Sequence, residues 1–230
     1  MIEVSIILPT YNERENIARL VESINRHMNS SKFEIIVVDD NSPDGTADIA
    51  MELSRLYPVK VIKRSGKLGL TSAIHEGIST ARGKIVVVMD ADLQHPPHLI
   101  PKLTSRVGEC DIVIASRYIS GGRVEGLNPW RKAVSLAAVF LTRLLIPKCR
   151  KIKDPVSGFF AARRDILSSW SPIVPRGYKA LVEILSLLKT SNICEEPYVF
   201  AARKTGSSKL SFRVVLAYVE TLLKLGLTSL

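Results

Sequence analysis

The first 116 residues alternate between two hydrophobic periods, and that alternation limits the chain to few folds. Short apolar runs rich in Val and Ile recur at Val4 to Leu8, Glu34 to Val38, Val59 to Ile62, Ile85 to Met89 and Ile112 to Ala115, each bounded by turn residues. They read as strands. Between them lie helix-like segments, Glu13 to Met28, Thr46 to Leu56, Leu70 to Thr80 and Leu99 to Val107. Strand and helix in regular alternation predict an α/β fold, a mostly parallel sheet covered by helices on both faces. Asn12 is placed to cap the first helix, with Glu15 three residues on as in a capping box.

After Ser116 the alternation stops. The second half offers an apolar helix from Trp130 to Leu145, a turn at Ser157-Gly158, a helix near Ala180 to Lys189 and a strand from Cys194 to Ala201. No repeat or Pro/Gly-rich linker divides the halves, so residues 1–230 are expected to share one core as a single domain.

A formal charge of +10 points to phosphate-bearing ligands, an anionic membrane or nucleic acid. No interleaved aromatic and basic surface or nucleic-acid motif is present, so nucleic acid is not an expected partner. Cys110, Cys149 and Cys194 are odd in number and far apart, which predicts neither a disulfide framework nor a zinc site and favours a reducing compartment. The N-terminus enters a strand at once, without the pattern of a secretory signal, so a cytoplasmic location is expected. Ala133 to Ile146 and Val214 to Leu230 are apolar, but each falls short of about 20 uninterrupted residues and carries charge, so neither should span a bilayer alone.

In α/β sheets, ligands bind beyond the carboxyl ends of the strands. Those ends here are Pro9-Thr10-Tyr11-Asn12-Glu13, Asp39-Asp40-Asn41-Ser42-Pro43-Asp44-Gly45 and Asp90-Ala91-Asp92-Leu93-Gln94. Any one cluster is ordinary turn chemistry. Three at successive strand ends, with doubled carboxylates, mark a site. Asp90 and Asp92 are spaced so that both carboxylates can turn, with Gln94, toward one hard cation such as Mg2+ or Mn2+, with diphosphate oxygens completing its shell. The chain lacks Gly-x-Gly-x-x-Gly and a Walker-type Gly-Lys-Ser/Thr, which removes the usual nucleotide folds. His95 and His98 are not expected to join the ligands, because the intervening prolines break the helical register.

The segments Ile7 to Glu13, Val37 to Gly45 and Met89 to Pro97 closely resemble the inverting GT-A glycosyltransferases, and within them the dolichol-phosphate mannose synthases. The resemblance runs on through Gly121-Gly122, Lys153-Asp154-Pro155-Val156-Ser157-Gly158-Phe159-Phe160 and Gly206-Ser207-Ser208-Lys209-Leu210, nearly the whole chain. It implies a GT-A sheet with a nucleotide-sugar half, 1–116, and an acceptor-binding C-terminal lobe, 117–230. Pro9, Tyr11, Glu13, Val38 and Asp40 would line the nucleoside pocket, with Asp90, Ala91, Asp92 and Gln94 against the donor and Asp90, Asp92 and Gln94 holding the metal. Arg117, Arg131, Ser135, Arg203 and Lys209 would handle the phosphates, and Asp92 and Arg117 are the expected catalytic pair.

The implied reaction is transfer of mannose from GDP-mannose to dolichyl or another polyprenyl phosphate with inversion. A hydroxyl acceptor would need a base. A phosphate monoester, with a second pKa of about 6, is already largely dianionic and can attack without one. Cations must then bring two anions together, and neutralising Arg117 or Arg203 is expected to abolish transfer with little loss of folding. The helices at Trp130 to Leu145 and Val214 to Leu227 are candidates for the membrane interface, at the cytoplasmic face and peripheral, with a membrane partner subunit or a missing segment supplying firmer attachment. A UDP-glucose-dependent polyprenyl-phosphate glucosyltransferase would share this pattern. A non-catalytic nucleotide-sugar or membrane binder would not need the intact metal and cationic sets. The absence of Gln-x-x-Arg-Trp argues against a processive polysaccharide synthase.

Overall fold

In the computed structural model, which describes residues 1–28, 32–126, 128–190, 192–201 and 212–228, every residue of the first two strands is buried. The apolar runs Ile6 to Pro9 and Ile35 to Val38 account for most of it, and the buried polar residues pair across the strands, Ser5 Oγ donating to Glu34 Oε1 at 2.7 Å and Thr10 Oγ1 to Asp39 Oδ1 at 2.9 Å. The elements in chain order are β1 (Val4–Thr10), α1 (Arg14–His27), β2 (Phe33–Asp39), α2 (Thr46–Leu53), β3 (Val59–Lys63), α3 (Leu70–Thr80) and β4 (Ile85–Val88). There follow α4 (Ile100–Arg106), β5 (Ile112–Ser116), β6 (Arg123–Val124), α5 (Pro129–Leu145), β7 (Phe160–Arg163), α6 (Arg164–Leu167), α7 (Ala180–Leu187), β8 (Ile193–Pro197), β9 (Val199–Phe200) and α8 (Phe212–Thr228).

Seven strands form one sheet in the order β3-β2-β1-β4-β7-β5-β8, and β6 pairs with β9 apart from it. All neighbours in the large sheet are parallel except β7, which runs antiparallel between β4 and β5. Its partners at Phe160 are Val88 on one side and Ile114 on the other. Alternate side chains feed two cores. Ile7, Ile36, Val38, Val86 and Val88 pack with α3 and α7, whereas Ile6, Leu8, Ile35, Val37 and Val87 pack with α1 and α4. Both halves of the chain therefore contribute strands to one sheet.

Two expectations are corrected. Asn12 does not cap α1. It lies at φ 56° with its backbone N–H donated to Ser42 Oγ at 3.0 Å, and Glu13 occupies the cap position without a side-chain cap bond. The first amides are satisfied from the start of α2 and the loop before it instead: Glu13 N donates to Thr46 Oγ1 at 2.9 Å and Arg14 N to Asp44 Oδ2 at 3.1 Å. The cysteines are not all free either. Cys110 and Cys194 are joined, with Cα atoms 5.9 Å apart. Cys110 lies two residues before β5 and Cys194 lies in β8, its parallel neighbour, so the sheet brings together residues separated by 84 positions. Cys149 is buried and free, its thiol pushed up to about 12 by burial.

Helix α5 packs on α8, where the Thr142 and Tyr218 hydroxyls pair. Its outer side exposes Leu136, Phe140 and Leu144 at four-residue spacing, with Trp130 at the start. Among the described residues, no helix is long and apolar enough to cross a membrane.

Helix α3 lies so close to β1 that a Cβ at Gly77 would stand 2.5 Å from Ile7 Cγ2. Alanine would gain about 1 kcal/mol of helix propensity, but overpacking a rigid core costs about 1–3 kcal/mol, and Ile7 is fully buried in a central strand. Gly77→Ala is expected to lower the urea midpoint; a midpoint at or above wild type would contradict this close approach.

Candidate active site

The carboxyl ends of β1, β2 and β4 lie side by side. Pro9 pairs with Val38 and Thr10 with Asp39 in register, and Met89 N donates to Ile7 O at 3.2 Å, which carries the chain directly into Asp90. Pro9 and Val38 are thus neighbours at one strand edge, with Tyr11 half-buried and Glu13 buried just beyond. Glu13 Oε2 accepts from Asn16 Nδ2 at 2.8 Å.

Asp40 is buried and engaged by the protein itself. One oxygen is paired with Arg64 and the other accepts from Gly69 N at 2.8 Å. Arg64 continues to Ser72 Oγ at 2.8 Å and Glu76 at 3.1 Å. Asp40 therefore organises the loop between β3 and α3, and a nucleoside would reach it only through lone pairs that these bonds leave over. The same loop carries Lys67, whose ammonium lies 3.8 Å from the centroid of the Tyr11 ring.

The loop after β4 is tight. Leu93 sits at φ 63°, Gln94 N donates to Asp92 Oδ1 at 3.1 Å, and Ala91 is buried beneath. Gln94 Nε2 donates to the carbonyl of Ala201 at 2.9 Å. A carbonyl only accepts, so this bond turns the Gln94 amide oxygen away from Ala201. Asp90 and Asp92 are half-exposed. Two carboxylates and an amide oxygen are hard donors of the kind Mg2+ and Mn2+ take, so the residues fit such an ion. Among the described residues no group of three or more His, Cys, Asp or Glu surrounds a common point; such ions commonly keep waters and take substrate phosphate oxygens beside one or two carboxylates. His95 is buried, its pKa pushed down to about 4 chiefly by burial, and His98 is exposed against His27.

Arg117, just after β5, is buried and bound to a fully buried Asp154. Nε and Nη2 donate to Oδ2 and Oδ1 at 2.7 and 2.8 Å, and the Arg117 backbone N–H adds a third bond at 3.0 Å. Burial works against the charge, but the bonds to Asp154 outweigh it and hold the guanidinium well above its usual pKa. The expectation that Arg117 can be neutralised with little loss of folding is therefore corrected, because the change would leave a carboxylate buried without its cation. Arg117 also faces the Tyr118 ring at 5.0 Å, and Tyr118 Oη pairs with Ser135 Oγ at 2.9 Å. Arg131 lies one turn before Ser135 on α5, where Asn128 Oδ1 caps the helix by accepting from its backbone N–H at 2.8 Å. Residues four apart share a helix face, so Arg131 and Ser135 follow on from Arg117. Arg203 and Lys209 lie outside the described residues.

Lys179 was not anticipated. Its ammonium is held below its usual pKa by burial and by Arg117, against the opposing pull of Asp90, Asp154 and Asp92. It thus belongs to the same charge cluster as the acidic loop and the ion pair. The available signal was its place: Lys179 is the cap residue of α7, where the positive helix end disfavours a cation.

A model of glycosyl transferase family 2 matches residues 5–170. The chain belongs to that family. A dolichol-phosphate mannosyltransferase of Pyrococcus furiosus is 46% identical over 97% of this chain, which spans 63% of that relative's length. A protein of the same description from Saccharomyces cerevisiae is 35% identical over 97% of this chain and 87% of its own length. Among solved structures, mannosyl-3-phosphoglycerate synthase from Rubrobacter xylanophilus superposes with a TM-score of 0.75 at 22% identity, over 97% of this chain and 73% of that one. Glucosyl-3-phosphoglycerate synthase from Mycobacterium tuberculosis, crystallised with Mn2+, UDP-glucose and phosphoglyceric acid, gives 0.74 at 22% identity, over 97% and 79%. The fold is the GT-A type, as the motif resemblance implied.

Arg117→Met should cost about 3–5 kcal/mol of stability, the range for breaking a buried pair, and adding Asp154→Leu should recover part of it. Urea unfolding reads both, and a single mutant within experimental error of wild type would contradict the pairing. His95 binds its proton more weakly folded, at about 4, than unfolded, at about 6.5. The unfolded state therefore holds more protons between those values, and stability should rise with pH across that window by on the order of 3 kcal/mol. His95→Asn should flatten that part of the profile of unfolding free energy against pH.

Proposed function

We propose that this chain transfers mannose from GDP-mannose to dolichyl or another polyprenyl phosphate, with inversion, at a membrane surface. The reading is carried by the Asp90-Ala91-Asp92 loop after β4 and the buried Arg117 after β5, with Lys179, at the start of α7, in the field of both. Carboxylates for a cation and cations for phosphates stand together, which is what joining two phosphate-bearing substrates requires. The relatives described as dolichol-phosphate mannosyltransferases support the choice of sugar and acceptor.

In this reading residues 1–116 bind the nucleotide sugar and the rest of the same domain binds the acceptor. Pro9, Tyr11, Glu13, Val38 and Asp40 line the nucleoside pocket. A magnesium or manganese ion held by Asp90, Asp92 and Gln94 would neutralise charge on the departing diphosphate. Lys179 adds a positive charge beside it. Arg131 and Ser135 lead the acceptor phosphate toward Arg117, which Asp154 holds rigid. The acceptor phosphate monoester loses its second proton at a pKa of about 6, so at neutral pH its oxygen attacks without a protein base. Accordingly, the imidazole of His95 is buried with its Nδ1 occupied by a backbone N–H.

The exposed stripe of Leu136, Phe140 and Leu144 on α5, with Trp130 at its end and Arg131 and Lys132 alongside, suits the boundary of a bilayer whose anionic headgroups meet the cations. A peripheral location at the cytoplasmic face belongs to the same reading, with a membrane partner subunit as a further expected contact.

The test is transfer of labelled sugar to polyprenyl phosphate in vesicles, from GDP-mannose and separately from UDP-glucose, with Mn2+, Mg2+ or chelator. Metal-dependent mannosyl-lipid from GDP-mannose alone is expected, with Lys179→Met lowering kcat by about 100-fold or more, the scale for losing one electrostatic contact to transition-state charge. Product from UDP-glucose alone would overturn the donor, and lipid-independent hydrolysis alone would overturn the acceptor.

A further inference from the structure

The loop from Asp90 to His95 must hold two half-exposed carboxylates at fixed positions, yet its backbone is not inclined to do so. Leu93 occupies the left-handed region, which is unfavourable for a side chain of its size. Two contacts compensate. Asp92 Oδ1 accepts from Gln94 N and fixes the second half of the loop, while His95 Nδ1 accepts from Asp90 N at 3.0 Å and ties its two ends together. A backbone amide only donates, so Nδ1 is the bare nitrogen and Nε2 carries the proton. That nitrogen stands 3.9 Å from Asp90 Oδ2. The ring thus addresses Asp90 twice, through its backbone and toward its carboxylate.

The imidazole is in turn held from outside the loop. It stacks on Phe159 at 5.2 Å with an interplanar angle of 25°, and Tyr198 and Phe200 each meet it edge-on at 5.9 Å. Gly158 permits the approach, because a Cβ there would lie 2.8 Å from Asp90 Oδ2 and 3.2 Å from His95 Cε1. A ring that merely filled this aromatic cage could be phenylalanine. Only a ring with an acceptor nitrogen can take the Asp90 N–H.

We propose that His95 is a positioning residue that fixes Asp90 for divalent-cation binding, with the cage of Phe159, Tyr198 and Phe200 fixing His95. The inference rests on the reading of Asp90 and Asp92 as cation ligands. Loss of an outer partner of a metal ligand typically weakens metal binding about 10–100-fold.

The experiment measures Mn2+ uptake by the full chain with saturating GDP, from the disappearance of the free-Mn2+ EPR signal, after circular dichroism has verified folding. His95→Phe keeps the caged ring and removes the acceptor. His95→Asn keeps an acceptor oxygen near the position of Nδ1 and gives up the stack. The phenylalanine variant should bind Mn2+ about tenfold more weakly or worse, with GDP affinity measured under chelator unchanged, and asparagine should restore most of the loss. Wild-type Mn2+ affinity in His95→Phe would overturn the proposal, as would equal loss in both variants, which would make the cage and not the bond responsible. Should the phenylalanine variant not fold, the asparagine variant decides, retained affinity supporting the proposal and a tenfold loss overturning it. Absence of Mn2+ uptake by the unaltered protein would instead overturn the cation-ligand reading beneath it, a result separable because it precedes any substitution.

Discussion

The buried pair of Arg117 and Asp154 is the constraint around which the second half of the chain is arranged. Asp154 is fully buried, and a carboxylate in that position is tolerable only if its charge and lone pairs are met. Arg117 supplies three donors to it. The segment bearing Asp154 is fixed from the other side by Glu195 of β8, which accepts from Lys153 N at 2.8 Å and Asp154 N at 2.9 Å. Beyond Asp154 the chain turns through Ser157 and Gly158 into β7, so the ion pair also sets where the antiparallel strand enters the sheet. The bond between Cys110 and Cys194 holds β8 to the start of β5 one residue from Glu195. Strand edge, ion pair and inserted strand thus support one another, and the guanidinium is rigid because all three are.

That rigidity bears on the electrostatics of the site. Lys179 and Arg117 repel each other, and burial disfavours the charge on Lys179. The pair is tolerated because Asp90, Asp92 and Asp154 lie within reach of the same field. A cation bound to Asp90 and Asp92 would cancel part of that compensation, and a diphosphate would restore it. In the proposed reading, metal and donor are therefore coupled: each relieves the charge imbalance that the other creates, which favours their arriving together.

Much of this was legible from the residues. Continuous Val and Ile runs are strands because a sheet covered on both faces has no polar side, and the acidic clusters sit at their carboxyl ends because parallel strands end on one edge. What escaped the sequence depends on contacts across long separations. β7 is four residues, Phe160-Ala161-Ala162-Arg163, with two alanines of low strand preference, and it is a strand only because β4 and β5 supply partners on both sides. Asn12 and Glu15 form a correct local capping pattern, but Asp44 and Thr46 reach the first amides of α1 from the segment after β2. Cys110 and Cys194 look unrelated until β8 lies beside β5. His95, read from spacing, is a poor metal ligand; only the aromatic cage built from Phe159 and the two residues Tyr198 and Phe200 shows what else it does.

In the proposed reading, the donor pocket is shaped before its ligand arrives. Tyr11 offers an aromatic face, and Lys67 lies against it from a loop whose form depends on Asp40 and Arg64. An exposed cation–π contact is worth about 0.5–1 kcal/mol, whereas a base stacked on an aromatic ring is worth about 1–3 kcal/mol. If the donor base takes the Tyr11 face, it displaces Lys67 at a net gain, and the freed ammonium remains tethered beside the incoming nucleotide. The bonds of Asp40 to Arg64 and Gly69 do not involve Tyr11, so that exchange would not require the loop that carries Lys67 to rearrange. The pocket then exchanges one contact for a stronger one without reordering its frame, which keeps the entropic cost of binding the nucleoside small.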